Sequence, residues 1–278
     1  MNLSDLDMET LIQDACTVAR EAGAAILDVY GTRFRASEKA DLSPLTEADL
    51  ASHRIIQQRL QELTPDVPLL SEEGRDVPFE ERRHWSTFWL IDPLDGTKEF
   101  VKRNGEFTVN IALVRDHVPI LGVVFSPVLE TLYAGTTEAG AFLESAAGER
   151  KGIAVRWPAP ERPAVVSSRS HGSDRLGRAL ERLGPHEALA MGSSLKLCLV
   201  ADGSADLYPR LGPTSEWDTA AAHAVVRAAG GCVCDLRGQE LRYNTRESVL
   251  NPEFLACARE PEGWLQRLGL WEHGPAPA

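Results

Sequence analysis

Nothing in the 278-residue sequence is long and apolar enough to cross a bilayer. The longest apolar runs, such as residues 120–125, are strand-sized, against the roughly 18 residues that a span needs. The first ten residues are acidic and lack the basic start and apolar stretch of a secretory signal. Positive charge is also scarce, with 29 Lys and Arg against 41 Asp and Glu and a net charge of −12. That balance speaks against broad nucleic-acid binding, yet a small phosphorylated ligand stays possible where bound cations offset the carboxylates. The five cysteines (Cys16, Cys198, Cys232, Cys234 and Cys257) are odd in number and scattered, which is no disulfide framework. Cys232 and Cys234 form C-x-C, but no second pair or nearby histidine completes a zinc set. Their expected role is alternation along a buried strand. There is no internal repeat, and the one biased stretch is a Pro/Ala tail at 274–278. What remains is a globular protein, expected to be soluble and cytoplasmic, with ordinary apolar (43%) and charged (25%) content.

Length and patterning fit two lobes sharing a core. Leu11, Ala15, Val18, Ala22, Ile26 and Val29 recur at helical steps, and Gly31 is a stop. A second helix starts at Thr46, with Asp49 three residues on as a capping box, and ends near residue 63 before Pro65. Residues 87–91 (TFWLI) read as a buried strand, followed by strands near 107–113, 120–125, 132–134 and 141–143. The Arg-, Lys- and Pro-rich segment 149–162 marks a soft boundary, so the lobes are placed at 1–155 and 156–278. Beyond it, strands at 164–167, 206–208, 232–235 and 254–258 alternate with helices at 174–183, 195–201 and 218–229. The fold class is α/β, with an antiparallel-rich first lobe.

The chemistry concentrates in WLIDPLDGTKEF at 89–100. A buried strand ends in Asp92, Pro93 turns the chain, Asp95 follows, and Gly96-Thr97 opens a helix whose N–H groups suit a phosphate. Two carboxylates aimed at a phosphate repel it unless a hard cation with oxygen ligands intervenes. The competing reading is an Asp-Pro turn and a helix cap. Carboxylates three apart, with proline between, differ from the D-x-D-G-T loop of aspartyl-phosphate enzymes, so water activated by metal is favoured over an Asp nucleophile. Two further acidic sites fit the same centre. Glu72 and Glu73 close an apolar stretch at 67–70, although paired glutamates are usually solvated. Asp218 precedes an Ala-rich helix, either as an N-cap or as a ligand. His53 and His223 lie on helices and are expected to pack or cap.

SEEG, WLIDPLDGTKEF and EWDTAAAHAV, in that order, resemble the inositol monophosphatase superfamily of Mg²⁺-dependent, lithium-sensitive phosphatases. DxSPxTEADL at 41–50, FVKRNGEFTVNIALV at 100–114, GSSLKLCLVADG at 192–203 and LYPRLGPT at 207–214 look like its 3'(2'),5'-bisphosphate nucleotidase branch, over roughly residues 8–258. The resemblance implies a layered α/β/α/β/α fold and hydrolysis of adenosine 3',5'-bisphosphate (PAP), with its sulphated form, PAPS, as second substrate. It places a first Mg²⁺ on Glu72, Asp92 and the Leu94 carbonyl, and a second on Asp92, Asp95 and Asp218. Asp49 and Thr97 match the pair that positions or deprotonates the attacking water, alongside a third, weaker metal in some readings, with Glu73 behind them. Asp95, Gly96 and Thr97 would grip the scissile phosphate, and Ser194, Lys196 and Arg210 the rest of the nucleotide. Ala222 stands where relatives often carry glycine, which removes no ligand. Peripheral contact with the inner membrane would be the only membrane association, and oligomeric state stays open. The rivals are a phosphomonoesterase acting on inositol phosphates or fructose bisphosphate, and a non-catalytic metal- and phosphate-binding regulator.

Overall fold

The computed structural model describes residues 7–32, 37–38, 44–168 and 173–272. The expected tail at 274–278 and positions 41–43 of the DxSPxTEADL segment lie outside them. Two long helices come first, α1 (Met8–Tyr30) and α2 (Glu47–Leu63), separated by the two-residue strands β1 (Ser37–Glu38) and β2 (Pro44–Leu45). A seven-stranded sheet follows in chain order: β3 (Leu69–Ser71), β4 (Thr87–Asp95), β5 (Thr108–Arg115), β6 (Val118–Ser126), β7 (Thr131–Thr136), β8 (Gly140–Glu144) and β9 (Arg150–Ile153). Only β3 and β4 pair in parallel. Short helices α3 (Phe79–Arg82) and α4 (Thr97–Val101) flank β4.

The second sheet runs β11 (Glu187–Met191), β10 (Ala164–Ser168), β12 (Leu207–Arg210), β14 (Phe254–Cys257), β13 (Cys232–Asp235). Helices α5 (Asp174–Leu183), α6 (Leu195–Ala201), α7 (Glu216–Ala228) and α8 (Pro261–Leu268) alternate with these strands. Stacking α1 and α2 on one face of the first sheet, α6 and α7 between the sheets, and α5 and α8 outside the second gives five layers, α/β/α/β/α. Each interface has its own apolar core. The layering agrees with the expectation from sequence. Besides the two-residue β1 and β2, two strands of the large sheets escaped the sequence reading, β9 (RKGI) and β11 (EALAM). Both are edge strands with mostly exposed positions; RKGI has no apolar run, and the Ala-rich EALAM reads as readily as helix.

Helix α7 lies against the first sheet at unusually close range. A Cβ on Gly122 of β6 would sit 2.0 Å from the Ala221 carbonyl oxygen, so only glycine lets the helix backbone down onto the strand. The Ala-rich sequence of α7 serves this approach, and Ala222 is fully buried there. The same helix carries His223, fully buried with Nδ1 2.9 Å from the Tyr243 hydroxyl. Burial, then the charges of Arg227 and Arg242, hold its imidazolium pKa down to about 3. A folded-state pKa depressed below the unfolded value means that stability is full above about pH 6.5 and drains as pH falls toward 3. His223→Gln should therefore remove a one-proton slope, about 1.4 kcal/mol per pH unit, from denaturant-measured stability between pH 6 and 4. Parallel profiles for the variant and the parent would contradict it.

Candidate active site

The carboxylates meet where the end of β4 comes against the start of α7, and each is aimed by its local backbone. Strand β4 does not end at Asp92 as the sequence suggested. It continues to Asp95 through a bulge, with Asp92 opposite Asn110 and Asp95 opposite Thr108. Two residues on β4, Pro93 and Leu94, thus oppose one on β5, Val109, which turns the flanking carboxylates toward one point. Pro93 suits the bulge because it has no ladder N–H to lose, and its carbonyl accepts a hydrogen bond from Ser52 Oγ of α2 at 2.7 Å. The Leu94 N–H donates to Asp92 Oδ1 at 3.0 Å. Gly96 takes φ +91°, the left-handed region, before the five-residue α4.

Asp49 and Asp218 are anchored by one device, used twice. Each is the third residue of its helix, and one oxygen accepts the backbone N–H of the residue before the helix: Thr46 N to Asp49 Oδ2 at 2.8 Å, Ser215 N to Asp218 Oδ2 at 2.8 Å. Asp218 is therefore the acid of a capping box and not the N-cap itself, which is Ser215. The other oxygen of Asp49 lies 3.3 Å from Thr97 Oγ1, which also reaches the Leu94 carbonyl at 3.4 Å.

Asp95 is held from the opposite lobe. Its Oδ2 accepts Ser193 Oγ and Ser194 N, both at 2.6 Å. The Thr108 hydroxyl lies 2.6 Å from that of Ser193 and 2.8 Å from that of Ser194, and Ser194 Oγ donates to Asn110 Oδ1 at 2.8 Å. Ser194, expected at the ligand, thus turns its hydroxyl into this buried network. Ser193 faces the carboxylate instead, from a left-handed φ of +55°. Sequence reasoning missed Ser193, Thr108 and Asn110, because a serine or threonine in a strand or loop looks the same whether or not a second lobe arrives on it.

Carboxylate oxygens of Asp92, Asp95 and Asp218 lie within 4.8 Å of one another. Burial pushes the Asp92 carboxyl well above its usual range, and the charges of Glu72, Asp95 and Asp218 push it further. Asp218 is raised likewise, by burial and then by Asp95, with the Ser215 N–H and Arg210 partly offsetting this. Glu72, at the end of β3, hydrogen-bonds Asp92. Glu73 is the next residue in the same turn, its N–H donating to Ser71 Oγ at 3.3 Å, while His53 Nδ1 meets that hydroxyl at 2.9 Å. An all-oxygen, like-charged, buried donor set fits a hard divalent cation such as Mg²⁺, whose charge relieves the repulsion.

Beside the carboxylates lies a cleft of about 110 Å³ that also takes in Gly96, Lys196, Tyr208 and Arg210. Lys196 is a buried cation. It is 7% exposed, its Nζ donates to the Ser193 carbonyl, and it lies 5.7 Å over the Tyr208 ring. Burial holds its ammonium down to about 8, against the pull of Asp95. Arg210 donates through Nη2 to the Pro213 carbonyl at 2.9 Å, while its buried Nε has no partner among the described residues. A buried ammonium and a half-buried guanidinium next to an acidic cluster make a bipolar site.

A model of the inositol monophosphatase family matches residues 7–265. The chain belongs to the inositol monophosphatase family. Within that family, it is 53% identical over 247 residues to the 3'(2'),5'-bisphosphate nucleotidase CysQ of Salmonella typhimurium, covering 88% of this chain and 98% of the relative. Its identity to the enzyme of the same name from Escherichia coli (strain K12) is 54%, with the same coverage. Among solved structures, CysQ from Bacteroides thetaiotaomicron superposes with a TM-score of 0.79 at 42% identity, covering 90% of this chain and 98% of that one. Inositol monophosphatase from Anabaena shares the fold, with a TM-score of 0.72 at 23% identity, covering 95% and 96%. Among the described residues of this family member, no helix is long and apolar enough to cross a membrane.

Two substitutions test the geometry. Asp92→Asn should stabilise the metal-free protein by about 1–2 kcal/mol, because one repelling charge leaves the cluster, and should abolish the gain in stability on adding Mg²⁺. Denaturant titrations with and without Mg²⁺ read both; a destabilised variant that still responds to Mg²⁺ would refute the cluster. Ser193→Gly keeps the left-handed backbone accessible while deleting the hydroxyl that orients Asp95. Calorimetric Mg²⁺ affinity should fall roughly tenfold, as expected for a lost hydrogen bond to a charged group. Unchanged affinity would mean that only the backbone matters there.

Proposed function

We propose that the protein is a Mg²⁺-dependent 3'(2'),5'-bisphosphate nucleotidase that removes the 3'-phosphate of PAP to give AMP and phosphate. PAPS is the second substrate. The observation that carries this reading is the buried Lys196 with the half-buried Arg210 beside the carboxylates, since a substrate with a second phosphate needs cations that a single-phosphate polyol does not. The similarity to the two CysQ enzymes supports the same substrate class.

In this reading Glu72, Asp92 and the Leu94 carbonyl would hold one Mg²⁺, and Asp92, Asp95 and Asp218 would hold another. When bound, Mg²⁺ supplies charge neutralisation for the phosphate and makes water acidic enough to attack near neutral pH. The protein's own groups do the rest. Asp49 and Thr97 face one another on the side of the attacking water, where Asp49 Oδ1 takes up the proton and the Thr97 hydroxyl orients the nucleophile. Glu73 backs this pair and is held in place through the Ser71 turn. The Gly96 and Thr97 backbone and the Asp95 loop bound the scissile phosphate. Lys196 and Arg210 receive the other phosphate, and Ser194 contributes from within the network that fixes Asp95. No serine, cysteine or histidine nucleophile is needed, because phosphoryl transfer depends chiefly on alignment and charge. Li⁺, carrying half the charge of Mg²⁺, would inhibit by competing for the same carboxylates. Action is cytoplasmic, and any contact with the inner membrane is peripheral.

Phosphate release from PAP, inositol 1-phosphate and fructose 1,6-bisphosphate, compared at fixed Mg²⁺ with Asp95→Asn as control, tests the reading. A strong PAP preference lost in the control is expected, whereas preference for inositol phosphate would overturn the substrate. Lys196→Ala should raise KM for PAP by roughly ten- to a hundredfold, the worth of one charged hydrogen bond, and far less for a monophosphate. Equal rises for both would count against the second-phosphate role.

A further inference from the structure

The C-x-C motif at 232–234 has no part in the phosphatase site, and the second sheet gives it a partner that the sequence spacing hides. Strands β13 and β14 pair antiparallel with Cys232 directly opposite Cys257, and their sulfurs lie 3.5 Å apart. Cys234 projects from the same strand two residues on, opposite Leu255, and its thiol reaches the Leu255 carbonyl at 3.7 Å. All three are free thiols. Their exposure differs: Cys257 and Cys234 are buried, whereas Cys232 on the edge strand β13 is partly open to solvent.

We propose that Cys232 and Cys257 form a reversible dithiol–disulfide site, in which Cys232 is the entry thiol for small-molecule disulfides. Bond formation requires the two sulfurs to close from 3.5 Å to about 2.05 Å, with the β-carbons at or below about 4.5 Å. Directly opposed residues of an antiparallel pair start close to that separation. The exchange balances as two displacements. The Cys232 thiolate attacks one sulfur of glutathione disulfide, forming a protein–glutathione bond and releasing glutathione thiolate. The Cys257 sulfur then attacks Cys232 Sγ, forming the cross-strand bond, releasing the second glutathione and passing its proton to solvent. Two protein thiols are oxidised, and one small disulfide is reduced to two thiols.

Chemistry at the cluster supports this order. Donation toward Cys232 by the Cys234 and Cys257 thiols pulls its own thiol well below the ordinary cysteine range, while that same contact and burial push Cys257 up. An accessible, acidic thiol beside a buried one is the arrangement of an attacking and a resolving cysteine. The bond would tie the edge strand β13, which follows the metal-carboxylate helix α7, to β14, whose other neighbour β12 carries Arg210 opposite Phe254. The site is thus linked covalently to the frame of the cleft without lying in it.

The test equilibrates the full-length protein, with Mg²⁺ present, in buffers of graded glutathione to glutathione disulfide ratio. Free thiols are then blocked, and intact mass and linked peptides are read. The expected product has lost two hydrogens and yields a single linked peptide pair joining Cys232 to Cys257. Cys257→Ser should stop at one glutathione on Cys232, Cys232→Ser should take up no glutathione at this cluster, and Cys234→Ser should still form the bond. A Cys232–Cys234 link, glutathione first appearing on Cys257 or Cys234, or no cross-link at any ratio in a protein that still binds Mg²⁺ would each overturn the assignment.

Discussion

Mutual repulsion among buried carboxylates is the constraint around which this molecule is arranged. Asp92, Asp95 and Asp218 share a volume in which oxygens approach within 4.8 Å, and Glu72 adds a fourth charge. Such a cluster opposes folding unless something fixes it. Here one oxygen of Asp92, Asp95 and Asp218 is tied by donors of the protein itself: the Leu94 N–H, the Ser193 and Ser194 groups, and the Ser215 N–H. The repulsion left over is what a divalent cation relieves, so affinity for metal and the strain of the metal-free fold are one free energy seen from two sides. The glycine seam that lets α7 settle on β6 belongs to this logic, because it sets how far Asp218 lies from the β4 bulge.

In the proposed reading the two sheets would divide the substrate between them. Acidic groups for the reacting phosphate would come mostly from the first sheet, and the cations for a second phosphate from α6 and β12 beside the second. Ser193 joins the halves, since its carbonyl holds Lys196 and its hydroxyl holds Asp95. The serine also shows how one residue in an unfavourable backbone region can serve function, its strain being held by contacts on both sides.

Local chemistry was the legible part of the sequence. The Thr46–Asp49 capping box, the buried strand running into Asp92 and the acidic triplet of segments could all be read from neighbours within a few residues, and the five-layer fold followed from the family resemblance. The bulge at Pro93 could not, because proline after a strand carboxylate ordinarily signals a turn, and only pairing with β5 keeps the strand going. Ser193, Thr108 and Asn110 acquire their roles from contacts across some 85 positions, which no spacing rule reports. Cys257 likewise becomes a partner of Cys232 only through strand register. Lys196 was read as a cation at a phosphate, but its burial depends on the Tyr208 ring arriving from another strand.

The account stands or falls on whether divalent ions occupy the carboxylate cluster. Crystals soaked in Mn²⁺ in place of Mg²⁺, with anomalous scattering used to locate the ions, would settle this directly. Peaks contacted by Asp92, Asp95 and Asp218 are predicted, with Glu72 and the Leu94 carbonyl reaching the ion shared with Asp92. An empty cluster at saturating Mn²⁺, or ions bound only elsewhere on the acidic surface, would contradict it.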